Sequence, residues 1–349
     1  MTESTNQATT SWVGIDVAKR TFDAAVHPQW TPGEAPPPSS LPKASFPSGP
    51  DGVAAFLTWL DGKVPVDCAR AIMEATGRYS LQLVDILVEA RPSLAPAIAD
   101  PRTVCHFTRS LGLRNKTDRA DAAALSRFGA ERCPQPWSPP APEYAELREM
   151  IRQRTFLVES LVAARNRLAE VEAATAVAEL QGEVVEGLRK ALARINAIIR
   201  DHVAAQADLA EAVRRLSTIP GVAFVTATTI LGELGDITRF RTSRSLSAYA
   251  GLSPRRCESG TSVRGRTRMC KQGGSKARQA LYLATLAAVR GNGGNRLGRA
   301  YADLVDNGKP KMVAIGAVMR RMLVLMRALL VGGEDYRDDW PTAQRQPRA

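Results

Sequence analysis

Ser11-Trp-Val-Gly-Ile-Asp-Val-Ala18 and, after Lys19-Arg20, Thr21-Phe-Asp-Ala-Ala-Val-His27 are the stretches whose reading decides the fold. Both are short runs rich in apolar and β-branched residues, so they read as two strands with a tight connection. The first carries an acid, Asp16, between Ile15 and Val17. A carboxylate in a half-buried strand costs free energy unless something pairs with it. Asp16 is therefore the first residue that needs a reason.

Working outward, Pro28–Pro42 reads as a proline-rich loop and Ala44–Phe46 as a third strand. A helix through Ala54–Leu60 follows, then the apolar run Val66–Met73, whose Ala71–Met73 end reads as a buried strand. Ser80–Ala90 has helical spacing, Leu94–Ala99 is a further strand, and helices run on to about Cys133. A meander of strands followed by alternating strands and helices predicts a mixed α/β sheet over residues 11–133. Cys133–Pro142 (CPQPWSPPAP) is the clearest boundary. Residues 143–215 lack proline and repeat apolar residues at near-heptad spacing, which predicts a connector of two long helices parted near Gly182 and Gly187. That connector reads as an antiparallel hairpin or a dimerising coiled coil, a scaffold. A third, mainly helical domain is expected over 216–332, with helices at Thr226–Leu234, Ser243–Ala250, Lys276–Ala288 and Lys311–Leu330 and a loose tail after Gly332. Its opening Ile219-Pro-Gly-Val222 resembles a helix-hairpin-helix turn, whose backbone N–H groups meet a phosphate.

The net charge of +12 is unevenly placed. Residues 1–135 hold 14 basic against 14 acidic residues and residues 136–215 hold 11 against 12, whereas residues 216–349 hold 22 against 9. The excess belongs to the last third and points to a polyanion partner there. Five scattered cysteines without a C-x-x-C pair argue against structural zinc and a disulfide framework. The polar N-terminus lacks the features of a secretion signal. Arg320, Arg321 and Arg327 interrupt the most apolar late stretch and argue against a membrane span. A cytoplasmic, nucleoid-associated bacterial protein is expected.

Three further acids join Asp16. Glu74 ends the apolar run A-R-A-I-M-E, and Asp118 and Asp121 in K-T-D-R-A-D-A share one face of a helix. Each has an ordinary explanation: Asp118 as a first-turn acid behind a Thr117 cap, Glu74 as a strand end. Taken together, an acid on the first strand, one on a later strand and a pair on a late helix make the RNase H-like layout. Such carboxylates hold divalent ions, roughly 4 Å apart where there are two, for phosphoryl transfer.

The runs V-G-I-D-V-A-K, M-E-A-T-G-R-Y and N-K-T-D-R-A-D-A carry a specific resemblance. They are followed in order by I-P-G-V, L-G-E-L-G-D, L-S-A-Y-A-G-L-S-P and E-S-G-T-S-V-R-G-R. From about residue 11 to 290 the chain resembles the DEDD transposases of the insertion-sequence one-ten family, in its bridge-RNA-guided form. The resemblance implies a RuvC-like N-terminal domain, a coiled-coil connector and a C-terminal transposase domain. It implies that Asp16, Glu74, Asp118 and Asp121 are the catalytic, metal-binding tetrad, with Mg²⁺ or Mn²⁺ as cofactor. It also implies a nucleophilic serine, matched here by Ser259; composition alone does not choose among Ser253, Ser259 and Ser262. Arg255, Arg256, Arg264, Arg266, Arg268, Lys271, Lys276 and Arg278 surround that segment against the single acid Glu258, and are expected to contact nucleic acid.

On this reading Ser259 forms a phosphoserine with DNA, and the carboxylates assist through metal in a site composed from different protomers. Donor and target DNA, a guide RNA and a homo-oligomer (dimer or tetramer) are the implied partners. Two rivals stand beside it: a RuvC-like metal nuclease that hydrolyses branched DNA, and a non-enzymatic architectural binder.

Overall fold

The computed structural model describes residues 10–27, 37–75, 77–112, 117–172, 175–255, 258–259, 263–264, 268–290 and 294–339. The chain divides into two compact units, Met1–Pro139 and Pro140–Ala349, parted inside the proline-rich run Cys133–Pro142.

In the first unit, β1 (Ser11–Val17), β2 (Thr21–His27) and β3 (Lys43–Pro47) form an antiparallel meander. Two more strands, β4 (Ala69–Glu74) and β5 (Ala97–Ala99), add in parallel on the other side of β1. The resulting order, β3-β2-β1-β4-β5, puts β1 at the centre. This mixed sheet is consistent with the RNase H-like layout. Both of its faces are covered, by α1 (Pro50–Asp61) and α2 (Arg78–Ala90) on one side and by α3 (Pro101–Ser110) and α4 (Asp118–Arg132) on the other. Val13, Ile15, Phe22 and Met73 pack with Phe56 and Leu87 on the first face; Trp12 and Ile72 pack with Phe107, Leu125 and Phe128 on the second. The N-terminal five residues of β1 are all buried, which corrects the half-buried reading. A strand with helices on both sides must be apolar on both.

The second unit starts with a helical hairpin, α5 (Pro142–Glu170) and α6 (Ala176–Ala205). Its cross-links narrow toward the turn: His202 Nε2 meets the Glu143 carbonyl at 2.9 Å, Arg154 donates to Asn196 at 2.8 Å, and Gln181 donates to the Ala164 carbonyl at 3.0 Å. The helices are therefore antiparallel, each roughly 45 Å long at 1.5 Å per residue. The break between them lies at 171–175 and not near the two glycines, which sit inside α6. Val171 leaves α5 in an extended conformation, and Thr175 caps α6 by accepting from the Ala178 N–H. Gly182 and Gly187 weaken the helix by about 1 kcal/mol each, too little to break one that is capped and packed. The expected single second helix also divides at Gln206, where α7 (Ala207–Leu216) begins.

The rest of the unit is mainly helical: α8 (Phe224–Leu234), α9 (Ser243–Tyr249), α10 (Ser275–Val289), α11 (Arg296–Asp306) and α12 (Lys311–Gly332). Of these, α11 has no counterpart among the helices expected from sequence; four of its residues are Arg or Asp, and only Leu297 and Gly298 are buried. Leu147 and Ile151 of α5 and Ile199 and Val203 of α6 share one core with Leu231, Leu281 and Met322. The base of the hairpin thus belongs to this core, while its distal seam is a separate cluster around Leu161, Ala164 and Val185. Between α9 and α10 runs a ribbon: β6 (Pro254–Arg255) pairs with β9 (Arg268–Met269), and β7 (Glu258–Ser259) pairs with β8 (Val263–Arg264), antiparallel throughout.

The segment 334–339 is held in place, against the expected loose tail, whose remaining residues 340–349 lie outside the described residues. Asp335 pairs with Arg214 at 2.8 Å, the Tyr336 N–H donates to Thr218 Oγ1 at 2.9 Å, and Asp338 pairs with Arg299 at 2.7 Å. Among the described residues no helix is long and apolar enough to cross a membrane.

The Ile219–Val222 turn is fixed by packing. Gly221 has φ +83°, and a Cβ there would meet the Ala284 carbonyl oxygen of α10 at 2.2 Å. Gly221→Ala should therefore destabilise the second unit by about 2–4 kcal/mol, left-handed strain plus overpacking. Denaturant unfolding monitored by circular dichroism checks the value.

Candidate active site

Strand register brings the first three acids of the site to one face. Gly14 and Ile72 are paired across β1 and β4, and both face α4: a Cβ on Gly14 would meet the Ala122 carbonyl, and one on Gly129 would meet Ile72. Side chains alternate along a strand, so Asp16, two residues beyond Gly14, and Glu74, two beyond Ile72, lie on that same face. On the other side of β1, Asp16 pairs with Asp23 of β2. Asp23 therefore shares this face, and it is the acid that the sequence reading missed. Its signal was present in T-F-D, a polar residue in an otherwise apolar strand.

The helix supplies the remaining two. Thr117 caps α4, its Oγ1 accepting from the Ala120 N–H at 3.2 Å, so Asp118 and Asp121 both fall in the first turn. Helix α4 closes on β1 where glycine has no side chain: a Cβ on Gly14 would stand 2.0 Å from the Ala122 carbonyl oxygen and 2.2 Å from the Ser126 nitrogen. A second close approach is at Gly129, against the Trp12 ring. These two approaches set the height of α4 over the sheet, and with it the distance of its two acids from Asp16.

The electrostatics record the convergence. The Asp16 carboxyl is pushed up from 3.8 to about 6, first by burial, then by Asp118, Asp121, Glu74 and Asp23. All four neighbours are anions that disfavour a further charge. Asp23 is itself partly compensated, accepting from the Ser45 hydroxyl and lying 3.6 Å from the Arg119 guanidinium. Among the described residues, no three carboxylate, imidazole or thiol groups lie close enough together to hold one ion. The acids thus share a field centred on Asp16 without forming a closed ligand cage. Carboxylate oxygens are the donors that Mg²⁺ and Mn²⁺ prefer, and a cation would relieve the repulsion that raises Asp16. In donor type and in charge, the residues present fit such an ion.

The other site residues lie in the second unit. Ser259 is in β7, opposite Val263 of β8, with Glu258 opposite Arg264. Arg255 and Arg268 face each other across β6 and β9 and are both exposed. Lys271 has a positive φ of 55°. Two other expected nucleic-acid contacts are engaged inside the unit: Lys276 pairs with Glu159, and Arg278 donates through Nη1 to the carbonyls of Ala250, Gly273 and Gly274. Arg278 thereby ties the start of α10 to the end of α9. Arg256 and Arg266, and the alternative nucleophile Ser262, lie outside the described residues.

Two protein families match the chain. Residues 13–171 match the transposase family DEDD_Tnp_IS110, and residues 213–301 match the Transposase IS116/IS110/IS902 family. The pilin gene-inverting protein of Moraxella bovis is 25% identical over 323 residues, covering 92% of this chain and 95% of that protein. An insertion element IS110 uncharacterized 43.6 kDa protein of Streptomyces coelicolor is 30% identical over 154 residues, 44% of this chain and 35% of that protein. The transposase for insertion sequence element IS1111A of Coxiella burnetii is 46% identical over 50 residues, 14% of each chain.

Two outcomes are expected of the first unit. Because the folded Asp16 carboxyl titrates near 6 and the unfolded one near 3.8, its ionisation opposes folding, and the penalty fades as the pH falls from 6 to 4. Shifted by about two units, the group would carry about 3 kcal/mol, which partial exposure reduces to about 1–2. Asp16→Asn should raise stability by that amount at about pH 8 and by nothing near pH 4, read from urea midpoints without divalent metal. Gly14→Ala should do the reverse, costing about 3 kcal/mol or more at any pH because backbone must move.

Proposed function

We propose, for a chain that belongs to the DEDD transposases of the IS110 family, a recombinase that breaks and rejoins DNA strands through a phosphoserine on Ser259. The family carries the cutting and rejoining of DNA; the serine intermediate, metal dependence, guide RNA and oligomer are our reading. The observation that carries the metal-assisted part is the convergence of Asp118 and Asp121 from the helix and Glu74 from the next strand on Asp16, whose carboxyl is raised by burial and by these acids. Four acids gathered at mutual cost are hard to explain in a scaffold, which disfavours a purely architectural binder.

Asp16, Glu74, Asp118 and Asp121 would hold Mg²⁺ or Mn²⁺. When bound, the ion supplies Lewis-acid charge neutralisation to a phosphodiester. The serine oxygen attacks phosphorus, the Ser Oγ–P bond forms, and a P–O bond to a sugar oxygen breaks; that oxygen leaves with the proton given up by the serine. Rejoining runs the step backward with a hydroxyl from another strand end, so the bond count is conserved and no outside energy source is needed. The cations of the ribbon, Arg255 and Arg268 among them, are suited to steady the phosphate's charge. Relatives named for inverting a pilin gene fit such chemistry, since inversion needs both breakage and rejoining. The long α5–α6 hairpin suits pairing of protomers, and a guide RNA would supply target choice by base pairing, as the family resemblance implies.

The test is a denaturing gel of protein incubated with labelled donor DNA and Mg²⁺. Wild-type protein should give a covalent adduct that EDTA abolishes. Ser259→Ala should give none, and Asp118→Asn should lower it by about 100-fold or more. An adduct persisting in Ser259→Ala moves the nucleophile elsewhere. Cleavage with no adduct in any variant favours the hydrolytic nuclease.

A further inference from the structure

Within the second unit a groove of about 1440 Å³ opens between α11, α12 and the β6–β9 ribbon. Small-molecule sites usually span about 300–1,000 Å³, so this one suits a length of polymer. Among the described residues six cations line it, Arg268, Lys271, Arg296, Arg299, Arg320 and Arg321, against one acid, Asp303. Arg299 is paired with Asp338, but Arg268, Lys271, Arg320 and Arg321 have no ion-pair partner among the described residues. The remaining lining is largely aliphatic, and Met312 and Val313 stand 66% and 53% exposed. No aromatic ring is among the described lining residues.

We propose that this groove holds the sugar–phosphate chain of a nucleic-acid strand where it passes the root of the ribbon that carries Ser259. The proposal rests on nucleic acid being the substrate, and it adds a binding surface whose α12 wall lies beyond the family matches. Both matches end by residue 301, whereas Met312, Arg320 and Arg321 belong to α12. The ribbon joins the wall directly: Met269 of β9 reaches α12, its methyl 3.1 Å from where a Cβ on Gly316 would stand. Cations from three elements facing one acid call for a ligand with a charge at every repeat. A phosphate chain has this, and its sugars offer apolar surface to Met312 and Val313. An acidic amphipathic peptide presents its charges along one edge only and leaves part of the cation set unmatched. The described lining offers no aromatic platform for base stacking, so the contacts it makes are independent of base identity.

The test is fluorescence anisotropy on the full chain in EDTA, with short labelled single-stranded DNA, single-stranded RNA and duplex DNA of mixed sequence. R320Q/R321Q should lower affinity about 10-fold at low salt and flatten the log–log salt dependence by between about 1 and 2 slope units, roughly one for each phosphate left without its arginine. M312E, at an exposed position that folding tolerates, should weaken binding by about 3-fold or more through repulsion of phosphate. The three ligands identify which strand type occupies the groove. Wild-type affinity and slope in both variants would overturn the proposal. So would variants that keep nucleic acid but lose binding of a labelled acidic amphipathic peptide. The assay needs neither metal nor bond breakage, so the two readings fail separately: groove-dependent binding without any covalent adduct sinks the serine chemistry alone. A wild-type chain that binds none of the nucleic acids sinks both.

Discussion

The approach of α4 to β1 at Gly14 is the constraint on which the first unit depends. With a hydrogen in place of a side chain, the helix backbone comes down onto the central strand, and Ala122 to Ser126 fill the space above it. The same approach lowers Asp118 and Asp121 toward the C-terminal ends of β1 and β4, where Asp16 and Glu74 already lie. A favourable packing event thereby assembles an unfavourable electrostatic one. The aromatic cluster of Phe22, Phe46 and Phe56 on the opposite face, with ring centroids 5.5–5.6 Å apart, anchors the strands that must bear this repulsion. Packing on one face offsets repulsion on the other, a pattern expected where a site must attract a cation.

The second unit works by different means. Its core is helix on helix, and its excess of positive charge is displayed on a ribbon and on the helices beside it. Some of those cations are structural: Arg148 donates to the carbonyls of Gly232 and Glu233, and Arg327 to that of Phe240, stitching distant helices together. A basic composition therefore overstates the number of cations available to a polyanion. Those that line the groove are a better guide, because they face open space together.

Much of this is legible in the residues. Asp16 stands out because an ionisable group interrupts an apolar strand, and Thr117 because a threonine before D-R-A-D is a cap. Asp23 escapes notice since its partner, Asp16, is set by antiparallel register, which a sequence does not display directly. Gly14 looks like an ordinary small residue in a strand; only the helix above it explains why nothing larger fits. Glycines mislead about the break between α5 and α6 because local propensity is weak beside capping and packing. The pinned tail is unreadable for a similar reason, since Asp335, Tyr336 and Asp338 find partners more than 30 residues away. The groove is hidden because Arg320 and Arg321 read in sequence only as interruptions of an apolar run.

If the four acids gather in order to bind a divalent cation, calorimetric titration of Mn²⁺ into the wild-type chain at about pH 5.5, where the Asp16 carboxyl is still mostly protonated, beside Glu74→Gln, tests it most directly. The predicted result is saturable binding accompanied by release of a proton from the Asp16 carboxyl, and loss of both signals in Glu74→Gln with the fold intact. Equal Mn²⁺ affinity in the two proteins, or no binding by either, would contradict it.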